Sequence, residues 1–320
     1  CDLNAERVQA MASDYGVTAY DDLGAMLADP AIDVINVALP NHLHFDAIMQ
    51  CAEAGKHVIT EKPPAMSLAE TDAMVEACAS RGLKFGCTVQ CRVRAAIQAM
   101  RKAIADGRFG KLLHADAFMK WFRPVDYYHM DAWRSLRKAG AGVTVQHAFH
   151  YIDLLQYLVG PAARVQARMT NLVHPDVALE DTLLAFVDFE CGAQGVVEAS
   201  TALWPGTDVR IEVNGTKGTA IMTGEKMATW TFEDDQPEDE AIRRLGDESQ
   251  ATAAGGAADF GFADHQVVVE DFIEAVNTDR DVIIPVASVR PTLEMVLAMY
   301  QSAAKGTSVD LPIIDDPSIW

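Results

Sequence analysis

Apolar positions in the first 90 residues alternate between two rhythms. One, of about 3.6 residues, predicts amphipathic helices over 4–15, 21–29, 44–54 and 67–81. Asn4 caps the first and Gly55 closes the third. Between them lie short runs that read as strands at 17–20, 33–38, 57–60 and 84–88. The run 33–38 is apolar almost throughout, as in a strand covered on both faces. Strand and helix alternating at this spacing predict an α/β unit with a parallel, doubly wound sheet. From about residue 92 the rhythm changes. Helices are expected at 94–106, 143–159, 264–277 and 287–304, and a strand at 111–121. Period-two runs follow at 164–172, 181–189, 193–202, 208–214, 218–223 and 227–233, joined by turn signals such as Asn214-Gly215. These predict a second, α+β domain with a large, mainly antiparallel open sheet. Residues 1–91 and 92–320 are thus expected to be separate domains. The stretch 234–261, acidic and then Ala/Gly-rich, reads as a mobile surface loop.

Composition narrows the functional classes. Half of the 320 residues are hydrophobic, yet no apolar run reaches the ~18 residues a membrane span needs. A formal net charge of −20 argues against nucleic acid or anionic membranes as partners. The six cysteines form no Cys-x-x-Cys pair, and Cys87 and Cys91 alone are a poor zinc signal. They read as reduced thiols of a cytoplasmic protein with no metal.

The chemistry concentrates at strand ends. The run His57-Val58-Ile59-Thr60 closes on Glu61-Lys62-Pro63. Parallel strand ends line the ligand crevice of an α/β sheet, and a lysine there can bond a substrate hydroxyl. The other reading is a solvated loop lysine. Pro40-Asn41-His42-Leu43-His44 follows the strand 33–38, where a dinucleotide would lie, though Asn41 could simply cap the next helix. Asp2 could bind ribose hydroxyls, or be a surface acid. At 100° per residue, Gln146, His150, Asp153 and Tyr157 share one face of helix 143–159, framed by apolar residues. A buried His150–Asp153 pair could be catalytic, or could satisfy itself in a core. His147 falls off that stripe. Gly140-Ala141-Gly142 precedes the helix and permits close backbone approach. The loop 121–134, with Trp121, Arg123, Tyr127, Tyr128, Trp133 and Arg134, offers aromatic faces and Arg donors suited to sugars and their phosphates, or is simple loop packing.

Together these segments resemble the Gfo/Idh/MocA family, named for glucose–fructose oxidoreductase and inositol dehydrogenase. The matching pieces run from Cys1-Asp2 through Leu39 to His44, Ala54 to Pro63, Gln90-Cys91-Arg92, Trp133-Arg134, Gly140 to Asp153 and Pro205 to Gly218. The resemblance implies an N-terminal Rossmann domain binding NAD or NADP, through Asp2, Pro40, Asn41, His44, Glu61, Lys62 and Gln90; Asp2, with no arginine directly after it, favours NAD. It implies a substrate that is a sugar, nucleotide sugar or cyclitol, contacted by Arg92, Trp133, Arg134, Gln146 and His150. Lys62 and His150 would act at the reacting hydroxyl, with Asp153 orienting His150. The open sheet would join subunits into a homodimer or homotetramer. Relatives that hydrolyse glycosides through transient use of NAD, and non-catalytic dinucleotide sensors, are the competing activities. Three departures stand out. No initial strand or Gly-x-Gly-x-x-Gly turn is present, so the chain is expected to be part of a longer protein and to bind dinucleotide weakly by itself. Gln146 stands where Asp is frequent, and Ala141 where Gly is usual.

Overall fold

The computed structural model describes residues 1–140, 142–247, 261–315 and 319–320. Its first sheet is parallel, in the order β1 (Val34–Val37), β2 (His57–Glu61), β3 (Phe85–Thr88). Helices α1 (Ala5–Tyr15) and α2 (Leu23–Leu27) precede it, while α3 (His44–Glu53) and α4 (Leu68–Ala79) make the crossovers. Register pairs Val37 with Thr60 and Glu61 with Thr88, so the three strands end side by side. Ile35, Val37, Val58, Ile59 and Cys87 are buried, as the continuous apolar runs require.

The predicted strand at 17–20 does not form. Gly16 ends α1 in a left-handed turn, Asp22 caps α2, and Tyr20 turns its hydroxyl onto the Asp29 carboxylate. A strand needs a pairing neighbour, and this β-branched segment has none.

After α5 (Ala95–Ala105) come β4 (Leu112–Lys120), α6 (Val125–His129), α7 (Phe149–Val159), β5 (Ala162–Thr170), β6 (Thr182–Phe189) and β7 (Gln194–Ser200). Next are β8 (Arg210–Gly215), β9 (Gly218–Thr223), β10 (Lys226–Phe232), α8 (Asp239–Ile242), α9 (Ala263–Thr278), α10 (Arg290–Lys305) and β11 (Val309–Asp310). These strands form a sheet ordered β10-β9-β8-β4-β7-β6-β5-β11, antiparallel except where β4 meets β7. Helices α7 and α10 pack on it, and the core between them holds Phe149, Ile152, Leu155, Val165, Leu183 and Val296.

The expected loop over 234–261 is corrected in its first part. Asp239 is fully buried, its carboxylate taking two bonds from Arg108 at 2.7 Å and one from the Trp230 indole at 2.6 Å. A buried, paired charge pins the backbone that carries it. Residues 248–260 lie outside the described residues. No helix among the described residues is long and apolar enough to cross a membrane, and no group of three or more potential metal ligands occurs among them.

Candidate active site

The carboxyl ends of β1, β2 and β3 carry the turns at 38–44, 61–64 and 89–93. Ligands of open parallel sheets bind at such ends. The turn after β2 reaches the second half of the molecule. Lys62 Nζ donates to the carbonyl of Gln146 at 2.7 Å and to that of Val145 at 3.4 Å. Both carbonyls lie in a wide turn of π geometry, Thr144–Ala148, which runs into α7. Such turns interrupt the i→i+4 ladder and free carbonyls for other donors. An ammonium has three N–H donors. Lys62 spends two on these carbonyls, and its third makes no hydrogen bond among the described residues. Burial lowers the Lys62 pKa from its ordinary value, with Glu61 opposing.

His150 opens α7 one turn after the clamped carbonyls. Burial first, then the Lys62 charge, hold its pKa well below the usual histidine range, so the ring is neutral near neutral pH. Its Nδ1 is buried without a partner. Gln146 Nε2, Gln90 Oε1 and both ring nitrogens of His147 are in the same condition. An unpartnered buried polar atom costs about 1–3 kcal/mol. Several of them on the elements around Lys62 are what a site shaped for a polar ligand leaves when the ligand is not counted.

Several predicted site residues make bonds within the protein. Asp153 does not orient His150. Its carboxylate is filled by Arg92, through Nε at 2.7 Å and Nη2 at 2.6 Å, and by the Thr292 hydroxyl at 2.7 Å. Arg92, expected to touch substrate, is buried, and also donates to the hydroxyl and the carbonyl of Ser288. The pair ties the turn after β3 to α7 and α10. The physical reason is charge: a buried guanidinium needs a carboxylate more than a neutral imidazole does. Asn41 Nδ2 donates to the Ala139 carbonyl at 2.9 Å, so it ties the β1 turn to the segment entering α7 instead of capping α3. The fully buried His44 ring touches the carbonyls of Pro63 (2.9 Å) and Leu39 (2.8 Å), joining the turns after β1 and β2. Pro40 begins the first of these turns, its carbonyl accepting from Leu43 N. Glu61, its pKa raised by burial, sits beside Lys62 and feels His265. The Asp2 carboxylate accepts from Asn4 N and Arg7, and it lines a cavity of about 320 Å³ with Val8, Met11 and Ala19.

The glycines before the helix have separate reasons. A Cβ on Gly142 would lie 2.2 Å from the Glu180 carboxylate oxygens, and Glu180 Oε1 accepts from Thr144 N at 2.9 Å, at the entry to the π turn. Gly140 adopts φ +62°, with Met66 within 2.8 Å of a would-be Cβ. Ala141 lies outside the described residues. Glu180, Thr292 and Ser288 carry no local signal in the sequence, because each acts through a contact far along the chain.

On the other wall, Arg134 stacks on Trp133 (4.8 Å) and on Tyr127 (4.7 Å), and donates to the Tyr127 hydroxyl at 2.8 Å. Tyr127 and Trp121 also pack against His147, at 5.7 and 6.0 Å between ring centroids. His147 therefore packs against the aromatic loop, off the stripe that helical spacing assigned to Gln146 and His150. A π turn does not advance by the 100° per residue on which that spacing rests.

Residues 1–89 match the description "Oxidoreductase family, NAD-binding Rossmann fold", and residues 97–221 match the "GFO/IDH/MocA C-terminal domain". The chain belongs to the GFO/IDH/MocA oxidoreductase family. It is 32% identical to 1,5-anhydro-D-fructose reductase of Ensifer adhaerens over 72% of this chain and 70% of that protein. It is 26% identical to levoglucosan dehydrogenase of Pseudarthrobacter phenanthrenivorans over 97% of this chain and 88% of that protein. Among solved structures, the WlbA dehydrogenase from Bordetella pertussis, in complex with NADH and UDP-GlcNAcA, superposes with a TM-score of 0.88. That match has 29% identity and covers 98% of this chain and 89% of that one.

Proposed function

We propose that the protein is an NAD-dependent dehydrogenase that interconverts a secondary alcohol and a ketone on a sugar, nucleotide sugar or cyclitol. The observation that carries this reading is the bond from Lys62 to the turn that presents His150. The related proteins act on sugars or their anhydro derivatives, which supports the substrate class. The dinucleotide fits the residues present: three parallel strand ends and the unpartnered Gln90 amide oxygen are available to it. Pro40, Asn41, His44 and Glu61 would frame it, the first three chiefly by fixing the backbone, and Asp2 would favour NAD over NADP. When bound, NAD supplies the acceptor for the hydride leaving the carbinol carbon.

This chain's own groups handle the oxygen and its proton. The free third donor of Lys62 points its charge at the reacting hydroxyl and stabilises the alkoxide as it forms. Neutral His150 accepts the hydroxyl proton, which its depressed pKa leaves it able to do near neutral pH. Gln146 cannot accept a proton, and its unpartnered Nε2 donates to a neighbouring substrate oxygen. Asp153 and Arg92 hold α7 in place and act only as positioning residues.

In this reading residues 1–91 hold the cofactor, and residues 92–320 hold the substrate and the subunit contact. The exposed Leu184 and Phe186 on β6 mark the sheet face that joins a second copy. Six cysteines without disulfides suit the cytoplasm. The test is a panel of sugars, nucleotide sugars and cyclitols given with NAD to the full-length protein. Reduced cofactor equal to ketone formed supports the reading. A cleaved glycoside with no net reduced cofactor, or no turnover at all, contradicts it.

A further inference from the structure

We propose that His147, Arg134 and Tyr127 form a subsite beside the reacting hydroxyl that holds an anionic group of the substrate, a carboxylate or a phosphate. The proposal rests on the dehydrogenase reading and specifies its substrate. His147 is 6% exposed, and neither ring nitrogen has a partner. It leaves the same π turn that Lys62 clamps, so its position is fixed from both halves of the molecule. Tyr127 is the hub. Its ring packs on His147 at 5.7 Å and has the guanidinium groups of Arg134 at 4.7 Å and Arg123 at 5.7 Å from its centroid.

Arg134 commits Nε to Asp131 at 3.1 Å and Nη1 to the Tyr127 hydroxyl, and Nη2 makes no hydrogen bond among the described residues. Its side chain is 23% exposed, so it can meet an entering ligand. The groups that act most on His147 are the basic side chains of Arg123, Lys62, Arg134 and His174, in a chain of net charge −20. Asp131 occupies one edge of Arg134, and Asp181 is committed to His174. Clustering cations around an imidazole raises the cost of the empty site, and an anion relieves it. A planar guanidinium stacked on aromatic rings presents its remaining edge to carboxylate or phosphate oxygens. Neutral sugar hydroxyls would need no such excess of positive charge.

The test titrates full-length protein with matched sets: D-glucose, D-glucuronate and D-glucose 6-phosphate, and the galactose counterparts. Binding is read from the fluorescence of Trp121 and Trp133, with NAD reduction followed in the same samples. In at least one set an anionic member is expected to bind about tenfold or more tightly than its neutral partner. The carboxylate and phosphate arms show which anion is taken. Arg134→Gln should abolish the preference and Arg134→Lys restore part of it, while His147→Asn should weaken the anion more than the neutral sugar. Neutral members binding as tightly in every set, no binding by any member, or equal weakening of both classes by Arg134→Gln would each overturn the subsite. A neutral sugar oxidised without preference removes the subsite and leaves the dehydrogenase reading intact. Binding with charge preference but no reduced cofactor removes the dehydrogenase reading instead.

Discussion

Three histidines do different work at the residue scale. His44 ties two turns together, His147 packs on the rings of Trp121 and Tyr127, and His150 feels the Lys62 charge. Burial is the first cause of a lowered pKa in each. A histidine depressed in the folded state binds its proton better when the chain is unfolded. Its contribution to stability is complete above the unfolded value of about 6.5, and is lost as pH falls below that toward the folded pKa. The thermal midpoint should therefore drop between about pH 7 and about pH 5, and His150→Asn should flatten part of that drop. Identical pH slopes for the two proteins, measured by calorimetry, would show that His150 is not held neutral by the fold. The residue types were legible in the sequence: Lys62 after a strand and His150 on an apolar-framed helix. Their partners were not, because Asp153 chose Arg92 over the histidine one turn away, on energetic grounds that spacing does not express.

The π turn is the decisive element. It presents two carbonyls to Lys62 and sets His147 against Trp121 and Tyr127, and Glu180 holds its entry because Gly142 lets the carboxylate approach. Gly142→Ala should force Glu180 away and lower both stability and turnover, whereas Gly160→Ala is strained locally but meets no neighbour. Equal midpoints for wild type and Gly142→Ala would refute the tight contact. The Arg92–Asp153 strut predicts a larger effect. Asp153→Ala leaves a buried guanidinium unpaired and should cost about 3–5 kcal/mol in denaturant unfolding. A loss near that of an exposed pair would return Asp153 to the role of orienting His150. Helix periodicity correctly marked 149–159, since those residues keep the 3.6 period. It failed just upstream, where the backbone departs from it. The segment 17–20 failed for the complementary reason: β-branched residues favour a strand only where another strand is available.

At the scale of the whole molecule, alternating patterns foretold a parallel sheet followed by a large antiparallel one, because each sheet buries its apolar positions with its own period. The one parallel pairing, β4 with β7, was not legible, since strand order depends on contacts far apart in sequence. The second sheet leaves Phe186 69% exposed on β6, beside Leu184. Phe186→Asp should reduce the mass in solution to that of one chain by light scattering. A wild-type protein that is already monomeric would rule out the sheet face as the subunit contact. The two halves meet functionally where the turn after β2 grips the turn before α7. The most direct test compares Lys62→Ala with wild type in the full-length enzyme, measuring turnover and NAD affinity separately. Turnover should fall about 10²–10⁴-fold with NAD affinity nearly unchanged. Turnover that survives the substitution would contradict the account.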